Sequence, residues 1–135
     1  MSEGRAAAHL ILYVADQPRA AQFYRRVLGR PPRLDVPGMT ELILPGGAVL
    51  GLMPESGIER LLPGLDTGRA TRPSRAELYL RFDEAGALHA AWERAVAAGA
   101  DVLSSVAPRD WGDLAGYLRD PDGHVLALAA CLEQG

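Results

Sequence analysis

The chain has 135 residues, of which 48% are hydrophobic and 23% charged. That balance fits one folded domain over 1–135 and excludes a disordered or fibrous chain. All fourteen basic residues are arginine, which removes Schiff-base chemistry, the phosphate-loop lysine and lysine general bases. The net charge of −3 leaves no basic field for a nucleic-acid backbone. The longest apolar runs, 10–15 and 125–132, are far short of the ~20 residues that span a bilayer. No signal-peptide pattern is readable at the N-terminus, so a cytoplasmic protein with no membrane partner is expected. The single cysteine, Cys131, can form neither an intramolecular disulfide nor a Cys-rich metal site, and is expected as a reduced, half-buried thiol.

In chain order, HLILYV from His9 reads as a buried strand closed by Ala-Asp-Gln-Pro. Asp16 can cap a helix from Arg19 to Leu28, where Ala20, Phe23, Tyr24, Val27 and Leu28 fall at helical spacing and Gly29 stops the run. Two short strands follow, Glu41 to Leu44 and Ala48 to Met53, joined by the turn Pro45-Gly46-Gly47. Pro54 to Arg75 holds three Pro, three Gly and a short amphipathic piece near Ile58 to Leu62. It is long for a connection in a compact domain, and is either a lid or pocket wall, or a plain linker.

The same order then recurs. The strand ELYLRF starts at Glu77, Asp83 punctuates it, and a helix from about Ala85 to Ala98 ends at Gly99. A strand near Asp101 to Val106 leads to Leu114 to Arg119, the turn Asp120-Pro121-Asp122-Gly123 and a strand from His124 to Ala130. Aligned on the turn glycines, Gly47 to Leu52 superposes on Gly123 to Leu128, and His9 to Val14 on Glu77 to Phe82. The expected architecture is therefore α+β, two βαβββ halves over 9–53 and 76–130 joined by 54–75.

Two stretches carry a resemblance beyond this: HLILYVADQPRAAQFYRRVLG from His9 to Gly29, and GYLRDPDGHVLAL from Gly116 to Leu128. With the helix around Trp92, the pattern resembles the vicinal oxygen chelate superfamily of glyoxalases, bleomycin-resistance proteins and extradiol dioxygenases. The resemblance implies that the two repeats curl into an open cup of mixed sheet around a central site. It further implies up to four metal-ligand positions, here His9, Gly51, Glu77 and Ala127. Only His9 and Glu77 carry donors, short of the three ligands that a catalytic divalent metal normally keeps. His124 lies three residues from Ala127 and should face the other way. No metal and no cofactor are therefore expected, and small residues at Gly51 and Ala127 are expected to open the cup to a bulkier guest.

By strand alternation, the residues sharing the cup face with those positions are Ile11, Tyr13, Val49, Met53, Tyr79, Arg81, Val125 and Ala129. Trp111, in the turn Pro108 to Asp113, is either a pocket rim or a packing residue. Trp92, Phe23 and Tyr24 read as packing, and His89 and His124 as surface. His9 is either a strand-end histidine with a backbone partner or a polar group of the cup. Glu77 is either a charge at a strand mouth or a carboxylate beside His9, and Arg81 is an alternative partner for Glu77.

The expected ligand-binding set is thus His9, Ile11, Tyr13, Val49, Gly51, Met53, Glu77, Tyr79, Arg81, Trp111, Val125 and Ala127, with no catalytic group assigned. The first reading, similar to the bleomycin-resistance branch, is a metal-free protein that sequesters an aromatic or hydrophobic antibiotic or metabolite. The second is a glyoxalase/dioxygenase-like enzyme, a lyase, isomerase or transferase, using His9 and Glu77 as acid and base or a weak metal site completed by other ligands. The third is a partner module whose cup is filled by its own side chains. The resemblance also implies a homodimer.

Overall fold

The computed structural model describes residues 7–64 and 75–132. The strand β1 (His9–Val14) is followed by α1 (Gln17–Leu28), β2 (Leu34–Val36), β3 (Met39–Ile43), β4 (Val49–Pro54) and α2 (Glu55–Leu61). The second set is β5 (Glu77–Phe82), α3 (Ala85–Ala97), β6 (Asp101–Pro108), β7 (Asp113–Arg119) and β8 (Val125–Cys131). They form two four-stranded sheets of the same order, β1-β4-β3-β2 and β5-β8-β7-β6. In each, the first and last strands run parallel and the other neighbours antiparallel. His9 stands beside Val49 and Glu77 beside Val125, so the two halves share one register and the βαβββ repeat holds.

The helix α1 forms because its termini are satisfied as well as its apolar stripe. The Asp16 carboxylate accepts from the Arg19 N–H, Pro18 occupies the first turn, and Gly29, at φ 72°, donates its N–H to the Arg25 carbonyl. At the far end, the Arg94 guanidinium of α3 donates to the carbonyls of Arg26 and Val27. A cation thus meets two of the carbonyls that a helix C-terminus leaves without partners.

Sequence patterning missed β2. Leu34, Asp35 and Val36 are all exposed, so this edge strand lacks the half-buried alternation by which strands are recognised. It is held from the side, since the Gln17 amide donates to the Val36 carbonyl and the Thr40 hydroxyl and accepts from the Gly38 N–H. The amphipathic piece expected near 58–62 is a helix that starts earlier, at Glu55. Residues 65–74 of the connection expected as lid or linker lie outside the described residues.

The helix-facing side of both sheets contributes to one apolar cluster. Val14, Leu50 and Leu52 from the first half join Phe23 and Tyr24 of α1, Leu88 and Ala91 of α3, and Leu80, Leu126 and Leu128 of the second half. The helices touch each other as well as their own sheets. The alternate residues of the strands are left on the opposite, concave faces. No helix among the described residues is long and apolar enough to cross a membrane.

Candidate functional site

On the concave face of the first sheet, the expected opening at Gly51 is filled by the chain itself. A Cβ placed there would meet Ile11 Cδ1 at 2.5 Å and Met39 Sδ at 3.1 Å, because Ile11 is the register partner of Gly51 and the two side chains fold across it. Val49 and Gly51 are accordingly buried, and Met53 partly so, while Tyr13 is 36% exposed at the strand end. The small residue thus makes room for neighbours and not for a guest. Both atoms are ends of flexible side chains. Gly51→Ala is therefore expected to cost about 1 kcal/mol or less in urea unfolding, below the usual range for overpacked cores.

At the mouth of this face, His9 Nδ1 lies 3.8 Å from Glu41 Oε2, and Arg33 binds the other oxygen of Glu41 through Nε and Nη2, both at 2.8 Å. Glu41, on β3, was not among the expected residues, although alternation puts it on the same face as Met39 and Ile43. Glu77 lines a separate cleft of 180 Å³ with Leu10, Leu12, Leu78, His124 and Val125.

The concave face of the second sheet carries a connected polar and aromatic cluster. Asp113, 6% exposed, accepts at Oδ1 from Arg81 Nε and Nη2, both at 3.1 Å, and at Oδ2 from the Tyr79 hydroxyl at 2.6 Å and Arg81 Nε at 3.1 Å. The Tyr79 oxygen in turn accepts from Trp111 Nε1 at 3.0 Å. The expected partner of Arg81 was Glu77. The structure gives it Asp113, because β7 pairs with β8 so that Asp113 sits opposite Cys131, at the Arg81 end of β5. Hydrogen bonds from Arg81 and then Tyr79 hold the Asp113 carboxyl below the usual carboxylate range. Burial, then the bond to Asp113, pushes the Tyr79 phenol up. The cluster therefore persists as an ion pair with a protonated tyrosine across the neutral range.

Beneath it, Ala115, Ala127 and Ala129 form a floor of small, fully buried residues. Tyr117 stands opposite Ala127, and the Arg109 guanidinium lies 5.3 Å from the Tyr117 ring centre. Arg109 is held there by the irregular pairing of β6 with β7, where its Nε and Nη2 donate to the Ala115 carbonyl and Nη2 also to Ser105 and Ser104. Trp111 is 58% exposed, an indole fixed at its nitrogen and open on its ring.

His124 is not the surface residue expected from sequence. Its Nδ1 lies 2.9 Å from Asp120 Oδ2, which also accepts from the buried Tyr24 hydroxyl at 2.5 Å, while Oδ1 accepts from the Asp122 and His124 N–H groups. The tight turn closed by the Asp120 and Gly123 N–H groups folds the ring back onto the carboxylate. Burial raises the Asp120 carboxyl, but hydrogen bonds from His124 and Tyr24 outweigh it and leave the group below its ordinary value. Burial lowers the His124 imidazole, and the bond and charge of Asp120 outweigh that and leave it raised.

The metal positions that the family pattern implies do not fit an ion. Gly51 and Ala127 carry no donor, and the carboxylate beside His9 is already held by Arg33. Among the described residues, Asp120, Asp122 and His124 present ligand atoms within 4.8 Å of one another. Asp120 is spent on the bonds above, and Asp122 Oδ1 accepts from the Ala15 N–H at 2.8 Å. That group ties the second half to β1 and α1.

Residues 6–128 match the family model of the Glyoxalase/Bleomycin resistance protein/Dioxygenase superfamily. No curated protein matches the sequence. Among solved structures, a glyoxalase-related enzyme from Fulvimarina pelagi is 25% identical with a TM-score of 0.79, over 93% of this chain and 88% of that one. A glyoxalase/bleomycin resistance protein/dioxygenase family enzyme from Burkholderia phytofirmans PsJN is 18% identical with a TM-score of 0.81, over 94% and 100%. A glyoxalase/bleomycin resistance protein from Albidiferax ferrireducens T118 is 20% identical with a TM-score of 0.72, over 91% and 96%.

Proposed function

Given that the chain belongs to the Glyoxalase/Bleomycin resistance protein/Dioxygenase superfamily, we propose that it binds a small aromatic or hydrophobic molecule, an antibiotic or a metabolite, and holds it unaltered without a metal. The observation that supports this reading is Trp111, whose ring is exposed while its nitrogen is anchored through Tyr79 to the buried Asp113 carboxylate and, through it, to Arg81. A ring held in one orientation loses little freedom when a flat guest stacks on it, which favours binding. The enzyme reading is less well supported. It needs His9 and Glu77 as an acid and base pair, and the carboxylate beside His9 is Glu41, itself engaged by Arg33. A homodimer belongs to the same proposal, since the exposed Tyr13 at the end of β1 would be covered by a second copy.

Titration with planar aromatic antibiotics, followed by tryptophan fluorescence, tests the reading. Quenching is expected in the wild type, and calorimetric titration with the same compounds should show an affinity loss of about tenfold in Trp111→Ala and most of the affinity kept in Trp111→Phe. Turnover of a bound compound by purified protein, or tight uptake of one divalent ion per site, would overturn it.

A further inference from the structure

We infer that the guest is a planar aromatic anion, its ring against Trp111 and its acid group on the outer edge of Arg81. This rests on the proposed binding function and adds the charge of the ligand. Around the alanine floor stand two guanidiniums, Arg81 and Arg109, and one carboxylate, Asp113. The Asp113 oxygens are buried and wholly engaged by Arg81 and Tyr79. The Tyr79 hydroxyl gives its proton to Asp113 and accepts from Trp111, so it offers a guest no further donor. Among the described residues, Arg109 bonds to two carbonyls and a serine hydroxyl, and no carboxylate pairs with it.

What the cluster presents outward is therefore ring faces and guanidinium N–H groups. Asp113 takes Nε and Nη2 of Arg81, and Cys131 also bonds to the guanidinium, but among the described residues no second carboxylate meets this side chain, which is 53% exposed. A planar guanidinium edge matches a carboxylate or a comparable oxyanion in shape and charge. A cationic guest would meet two positive charges in the cluster, whose carboxylate is already engaged, and would have to turn to the exposed Asp110 or Glu77 outside it.

Calorimetric titration of the wild type with 2-naphthoate, 2-naphthamide and 2-naphthylmethylammonium, at equal ionic strength, separates the possibilities. The three share one ring system and differ in charge. Naphthoate is expected to bind about tenfold tighter than the amide, the gain of one charge-assisted hydrogen bond, with the ammonium weakest. The paired change Arg81→Gln with Asp113→Asn removes both charges and keeps amide hydrogen bonding. It should bring naphthoate and the amide to equal affinity. Equal binding of all three by the wild type would overturn the charge assignment and leave the binding function standing. Tightest binding by the ammonium would overturn it in favour of the exposed Asp110 and Glu77. Absence of binding by all three would remove both.

Discussion

Asp120→Ala is expected to lower the unfolding free energy by about 3–5 kcal/mol, the cost of removing one member of a buried charged pair. In urea this is a fall in midpoint of about 2 M for a chain of this size. The carboxylate serves four donors: the Tyr24 hydroxyl, the His124 ring and the N–H groups of Asp122 and His124. Truncation strands a buried phenol and opens the turn that carries β8. Asp120→Asn, which keeps an acceptor oxygen, should lose clearly less.

The pH dependence has two flanks. Asp120 is depressed in the folded state, so its contribution is complete above the unfolded value of ~4 and is lost as pH falls through the lower, folded one. His124 is raised, so its contribution is complete below the unfolded value of ~6.5 and is lost as pH rises through the higher, folded one. The pair therefore contributes most between about pH 4 and 6.5. Urea midpoints measured across this range should show both slopes in the wild type, and Asp120→Ala should flatten them.

Gly116→Ala is the second large effect, a loss of about 3 kcal/mol, the upper end of the cost of overpacking. A Cβ at this position on β7 would come within 2.8 Å of both Trp92 Cη2 and Val106 Cγ2, and closer still to Trp92 Cζ3. The benzo edge of the α3 indole abuts the strand there, and a rigid bicyclic ring steps aside less readily than Ile11 at Gly51. Trp92→Leu in the Gly116→Ala background should recover part of the loss, and unfolding of the two variants and their combination measures the coupling.

Both positions show what the sequence could and could not yield. Gly116 lies within the motif that carries the family resemblance, and helical spacing makes Trp92 a packing residue, but their contact across α3 and β7 has no sequence periodicity. The repeat, the helices and seven of the eight strands among the described residues follow from hydrophobic spacing, caps and turn glycines. The exposed strand β2 carries no such pattern. At the candidate site, alternation placed Tyr79 and Arg81 on one face, yet it could not choose their partner. Asp113 looked like part of a polar turn, and its role emerges only when β7 and β8 set it opposite Cys131. The vacancy inferred at Gly51 failed for the same reason, since covering by Ile11 and Met39 depends on how long side chains lean across a sheet.

The guanidinium of Arg94 reaching the last turn of α1 bears on the origin of the repeat. If such a chain arose by duplication of one ancestral unit, its copies have since given up their autonomy. A severed N-terminal fragment would keep its own strands but lose both the arginine that quenches its helix terminus and the carboxylate that receives Tyr24. The likeness between the halves is therefore one of topology, while their solvency as independent folding units has been traded for mutual dependence.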